Sequence, residues 1–242
     1  MANPGQTRHT QPMCGRFALT LPDEAMAQLF DAALGATLMP TPRYNICPTQ
    51  KITTVVAGAD GRHLVPMRWG FLPHWYKTDR DGPLLINARA ETLVEKPAFR
   101  KACRVTRCLI PASGFYEWTK TAEESRLPWY IYPKGAPVFA FAAIWRDWQG
   151  QDVPTQSTCA IVTTSAHDAI SHIHNRMPVM IAPKDYGLWL GEQGHGAASL
   201  LHPPPTEALG FHRVHPRVNS NRPDDVDLIA PFNEGDDLPP NA

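Results

Sequence analysis

The chain has 242 residues, 43% of them hydrophobic and 19% charged, an ordinary globular balance with length enough for one large domain or two small ones. Lys plus Arg and Asp plus Glu each come to 23, so the formal net charge is zero; this argues against a polycation that coats long nucleic acid but leaves room for a local basic groove, because affinity for phosphate follows the patch and not the total. The five cysteines, Cys14, Cys47, Cys103, Cys108 and Cys159, contain no CxxC pair, which argues against a zinc site, and no apolar run approaches the ~20 residues of a membrane span.

Residues 1–12, MANPGQTRHTQP, lack the apolar core of a secretory signal and read as a removable leader or as sequence ahead of an alternative start at Met13. An odd cysteine count without such a signal points to a reducing, cytoplasmic setting. LPDEAMAQLFDAAL (21–34) is predicted to be a helix. Pro22 suits its first turn, Asp23 and Glu24 sit at the positive dipole end, and Met26, Leu29, Phe30, Ala33 and Leu34 share one face. KITTVVAG is β-branched and predicts a strand, and HLVPMRWGFLP a second one, with Gly61 in the turn between them. CLIPASGFYEW holds two short strand-like pieces around Ser113-Gly114. WYIYP, PVFAFAAIW and STCAIVTT follow, each bounded by Pro, Gly or polar residues. PVFAFAAIW and CAIVTT are unbroken apolar runs and are assigned to the buried centre of a sheet. PKDYGLWLG predicts a short helix, and the acidic DDVDLIAPFNEGDDLPPNA is read mostly as a surface tail. With 25 prolines at the edges of many apolar runs, the fold class is α+β, mostly antiparallel, with a few peripheral helices.

Five stretches carry candidate chemistry. Cys14 follows Met13 directly; a lone cysteine is most often a small buried hydrophobe, but a terminal one has both a free amine and a thiol. With a pKa near 8, roughly a tenth of an α-amine is neutral at pH 7, against well under a thousandth of a lysine. Amine and thiol can close on one aldehyde carbon as a five-membered thiazolidine, which an internal cysteine cannot do. In LINARAET, Asn87 reads either as a strand-end residue or as a carboxamide that orients an amine or sugar hydroxyl; Arg89, two residues on, shares its strand face and can hold a phosphate. Glu117 in SGFYEW either alternates out to solvent or serves as a general acid/base among apolar neighbours. HIHNRMPV offers His172 and His174, too few for a metal site, one of which can shuttle a proton, followed by Arg176 as a second phosphate contact. RWGFLPHWYK gathers Trp69, Phe71, Trp75 and Tyr76 between Arg68 and Lys77; core packing explains some of these, and stacking of single-stranded bases suits the rest.

Together, and in this order, MCGRF, RYN-x-x-P, RWGF-P-W, INARAET, RCLIPA-GFYEW, the His-x-R-MP segment and a closing VN resemble the SOS response-associated peptidase (SRAP) family, the abasic-site processing proteins, from Met13 to about Asn219. The resemblance implies a barrel-like β core in one domain, set at 14–225, with 1–13 left as leader or alternative start and 226–242 as the acidic tail read from composition. It implies covalent trapping of ring-opened abasic sites in single-stranded DNA by N-terminal Cys14. Asn87 would position the amine and sugar, Glu117 would be the acid/base linked also to leader removal, and His174 would assist sugar opening. Arg16, Arg89 and Arg176 would contact phosphate, and Trp75, Tyr76 and Trp118 would splay or stack the DNA. No cofactor, metal or membrane is implied, and a monomer fits a protein that slips onto a strand. Two features depart from the family: twelve residues precede Met13, and Tyr76 stands where a second Trp is common. A cysteine peptidase or amidohydrolase acting on peptides and a binding module without chemistry are the rival readings.

Overall fold

The computed structural model describes residues 15–35, 37–120, 126–151 and 153–232. In chain order the elements are β1 (Phe17–Leu19), α1 (Asp23–Phe30), β2 (Ala32–Leu34), β3 (Arg43–Ile46), β4 (Lys51–Gly58), β5 (Gly61–Trp69) and β6 (Asn87–Arg89). α2 (Ala102–Val105), β7 (Arg107–Ala112), β8 (Gly114–Lys120), β9 (Arg126–Pro133), β10 (Phe139–Trp148) and β11 (Gln156–Ser165) follow. α3 (Asp168–Ser171), β12 (Arg176–Pro178), α4 (Tyr186–Leu190) and β13 (Leu209–Arg213) come last, with 3-10 turns at Pro216–Asn219 and Val226–Ile229.

Two sheets carry the α+β fold. The larger runs β12-β11-β10-β7-β4-β5-β2, and β11 also pairs in parallel with β5, Thr158 opposite Arg68 and Cys159 opposite Trp69. That pairing closes β5, β4, β7, β10 and β11 into a five-stranded barrel, so these strands have no free edge. The smaller sheet is antiparallel, in the order β13-β9-β8-β1-β3. The apolar runs behave as expected: β10 is buried from Phe139 to Ile144 and β11 from Cys159 to Val162. Phe17 and Phe115 of the small sheet reach the barrel, with ring centroids 6.3 Å and 5.8 Å from Phe141. A helix over 21–34 is not what forms. Asp31 takes a left-handed conformation, φ 49°, and its amide bonds back to Ala27 and Gln28, which stops α1 at Phe30. Ala32–Leu34 then pairs in parallel with Arg62–Leu64.

The segment expected to be an acidic tail begins as part of the domain. Leu228 is fully buried with Ala18, Tyr116, Tyr130, Val214 and Val218, and the Phe232 amide donates to the Arg213 carbonyl. The charges in DDVDLI disguise one apolar residue per turn that covers the outer face of the small sheet. Residues 233–242 and the leader, 1–13, lie outside the described residues. Among the described residues no helix is long and apolar enough to cross a membrane.

Candidate functional site

Strand register brings the start of the described chain to Glu117. β1 runs antiparallel to β8 with Phe17 opposite Phe115 and Ala18 opposite Gly114, and the Tyr116 amide donates to the Arg16 carbonyl at 3.0 Å. Continued by one residue, the ladder sets Gly15 across from Glu117. Residue 114 is glycine where β8 meets a side chain of β9: a Cβ there would lie 2.3 Å from the Tyr130 ring. Strand alternation turns Glu117 to the barrel side of β8, where it is 3% exposed, and Tyr116 to the outer side.

His174 approaches Glu117 from the loop between α3 and β12. Its Nδ1 stands 4.0 Å from the Glu117 carboxylate. The amide and the carbonyl of Arg176 both stand 3.1 Å from the same Nδ1, which fixes the ring. Asn87 opens β6, paired with Ile161 of β11, and is half-buried. The residue before it is tied to β1 through Trp69: the indole Nε1 donates to the Ile86 carbonyl at 3.0 Å, and the ring stands 5.2 Å from Phe17. One buried tryptophan thus holds the start of β1 and the Asn87 segment against the same wall.

The predicted arginines divide. Arg89 is exposed at the end of β6. Arg176 is instead locked inside the fold. It makes a bidentate pair with Glu91 at 2.5 and 2.9 Å and donates to the Thr163 carbonyl at 2.7 Å, and its hydrogen bonds hold the Glu91 carboxyl below the usual carboxylate range. Arg16 is likewise engaged, donating to Asn45 Oδ1 at 2.6 Å and to the carbonyls of Val218 and Ser220 at 2.9 and 3.1 Å. Neither is a free phosphate clamp; each ties a strand end of the site to a distant segment.

The aromatic residues divide as well. Trp75 is 48% exposed on the loop after β5. Tyr76 is buried with Leu72 and Trp148, and its carbonyl accepts from the Trp148 indole at 3.0 Å, so its ring is core. Trp118 falls on the face of β8 opposite Glu117. It packs beside the Tyr116–Leu228 cluster, donates to Asn219 Oδ1 at 2.6 Å and lies under Arg126. Two polar residues entered the sequence reading only as motif letters, in RYN and the closing VN, with no role assigned. Asn45 and Asn219 brace the site from behind, and because their hydrogen-bond partners lie far away in the chain, that role has no local signal.

Four thiols are described: Cys47, Cys103, Cys108 and Cys159, all free. Burial pushes each above the ordinary cysteine range, Cys108 and Cys159 most of all. Cys14 lies outside the described residues. Among the described residues no group of three or more His, Cys, Asp or Glu is arranged to hold a metal ion.

Residues 13–221 match the family described as SOS response associated peptidase (SRAP). The chain belongs to that family. It is 34% identical over 224 residues to the abasic site processing protein YoqW of Bacillus subtilis, covering 90% of this chain and 99% of the relative. With the abasic site processing protein YedK of Escherichia coli it shares 28% identity over 228 residues, 90% of this chain and all of the relative. A solved structure of a Bacteroides thetaiotaomicron protein superposes with a TM-score of 0.79 at 24% identity, covering 91% of this chain and all of the other, a likeness of fold. SRAP membership accounts for the order of the motifs; pairing of β1 with β8 brings 15–17 to 117, and pairing of β6 and β12 with β11 brings 87–91 to 174–176.

Proposed function

We propose that this SRAP protein processes abasic sites in single-stranded DNA by covalent capture, with Cys14 as its first residue. The observation that carries the reading is the pair formed by buried Glu117 and His174, 4.0 Å apart, beside the strand that leads back to Cys14. Cys14 precedes Gly15 in the sequence, and Gly15 is the position that faces Glu117 in the register of β1 on β8.

The chemistry follows from this arrangement. His174 and Glu117 move protons as the abasic sugar opens to its aldehyde. The Cys14 amine adds to the aldehyde carbon, and loss of one water gives an imine. The thiol sulfur then adds to the imine carbon while its proton goes to nitrogen, closing a thiazolidine. Asn87 orients the amine and the sugar hydroxyl, Arg89 holds a phosphate, and Trp75 stacks on a base. An abasic sugar brings no base to extrude, which favours lesion over intact strand. The imine also permits β-elimination, a lyase side reaction. The four described thiols support Cys14 as the nucleophile, because burial keeps them protonated, and free thiols suit a cytoplasmic setting.

An amide nitrogen cannot form the imine, so residues 1–13 must be absent from the active form. We propose that they are removed by the same thiol acting with Glu117, a peptidase step on the chain itself, or that translation starts at Met13. The test is direct. Protein beginning at Cys14 is incubated with an abasic oligonucleotide and run on a denaturing gel. A heat-stable adduct is expected, absent with undamaged oligonucleotide and absent in Cys14→Ala. An adduct that persists in Cys14→Ala overturns the mechanism, and intact mass reports whether the leader is lost.

A further inference from the structure

β9 and β13 carry an aromatic surface that the capture chemistry leaves unused. Trp129 lies opposite Glu117 across β8 and β9 and opposite Arg213 across β9 and β13, so the three residues form one row over neighbouring strands. Two strand spacings put Arg213 roughly 10 Å from Glu117 along that row. Around the indole, ring centroids are 5.9 Å apart for Trp129 and His172, 6.0 Å for Trp129 and Phe211, and 5.7 Å for His172 and Phe211. The Arg213 guanidinium carbon lies 5.5 Å from the Trp129 ring, and its Nε is buried without a hydrogen-bond partner among the described residues. Phe211 is 36% exposed and His172 is open to solvent. His172 is also two residues from His174, so this surface adjoins the Glu117 site.

Exposed rings clustered against an indole, with an under-used guanidinium beside them, match the two halves of a nucleotide: a flat base to stack and a phosphate to pair. Resting on the capture reading above, we propose that Trp129, His172, Phe211 and Arg213 form a subsite for the nucleotide flanking the captured sugar. Its base lies against the Phe211 and His172 rings and its phosphate against Arg213. Trp129 is the rigid floor, fixed by its indole bond to Thr119 Oγ1 at 3.1 Å.

The test uses protein that begins at Cys14 and three oligonucleotides, with the abasic site internal, at the 5′ end or at the 3′ end. On the internal site, Phe211→Ala and Arg213→Gln each raise the half-saturating DNA concentration about tenfold, and Arg213→Lys raises it less. Removing the nucleotide on one side weakens wild type by a similar factor, and on that oligonucleotide the Phe211→Ala and Arg213→Gln losses shrink below about twofold, as coupled partners require. Equal losses on all three oligonucleotides overturn the subsite, and so does undiminished affinity in both variants. Wild type that captures none of the three overturns the capture reading itself and the subsite with it, an outcome distinct from capture without coupling. Phe211 is exposed, so its truncation leaves the core filled, and a thermal melt of each variant checks the fold.

Discussion

Glu117 is a carboxylate almost withdrawn from water, with the His174 ring 4.0 Å away. A group in that position either moves protons or orients the strand, and the isosteric change separates the two. Glu117→Gln keeps the shape and loses the proton. Capture is expected to slow by about 10²-fold in single-turnover assays, while oligonucleotide affinity by fluorescence anisotropy moves less than about twofold. An equal loss in both would assign Glu117 to strand binding. Gly114 opens the strand that carries Glu117. A methyl there meets the Tyr130 ring at 2.3 Å, a ring packed on Tyr116 and unable to retreat. Gly114→Ala is expected to destabilise by about 1–3 kcal/mol, read from the urea midpoint. At this scale the sequence is informative where a residue breaks its local pattern. Glu117 in an aromatic strand and His174 before Arg-Met-Pro stand out unaided. Arg16 and Tyr76 do not, because Arg16 finds its partners 202 and 204 residues away and Tyr76 is buried by Trp148, 72 residues on.

Short elements hold the site together through side chains at their ends. Arg176 at the start of β12 reaches across β11 to Thr163 and on to Glu91, in the turn after β6. Its hydrogen bonds lower the Glu91 pKa below 4.5, so the pair contributes to stability above the ordinary glutamate range and loses that contribution as pH falls through the lower folded value. Glu91 is half exposed, and solvent screens the pair. Glu91→Gln is therefore expected to lower the urea midpoint modestly at pH 7. The gap to wild type should close in acid below pH 4.5; a gap that persists there would mean that packing, not charge, is the contribution. The 3-10 turn at Val226–Ile229 is a second such tie. Leu228→Ala removes a fully buried side chain and is expected to cost about 2–5 kcal/mol in the same assay. Elements with unbroken apolar runs, β10 and β11, were legible from sequence because burial on both faces needs no alternation. The end of α1 was not. Nothing in DAAL announces that Asp31 will turn left-handed, and the pairing of Ala32–Leu34 with β5 depends on a strand 30 residues further on.

The whole molecule carries no net charge, yet its proposed ligand is a polyanion. The parallel pairing of β11 with β5 closes the barrel, pairing of β6 and β12 with β11 and of β1 with β8 places the site segments, and no local pattern in these strands foretells it. That gathering also decides which cations remain for phosphate. Of the three arginines that the family resemblance marks as phosphate contacts, Arg16 is bound to Asn45 and two backbone carbonyls and Arg176 to Glu91 and Thr163, which leaves Arg89 exposed. Binding to single strands releases counterions in proportion to the phosphates neutralised, about 0.7 in the slope of log K against log salt for each contact. Arg89→Gln is expected to make that slope shallower by about 0.7, measured by anisotropy on an abasic analogue that cannot react. Arg16→Gln should leave the slope where it is and lower the thermal midpoint instead, because it removes the hydrogen bonds of Arg16 to Asn45, Val218 and Ser220. A slope that falls equally in both variants would mean that Arg16 exchanges its internal partners for DNA, and the network seen around Asn45 would then be the resting state of a binding residue.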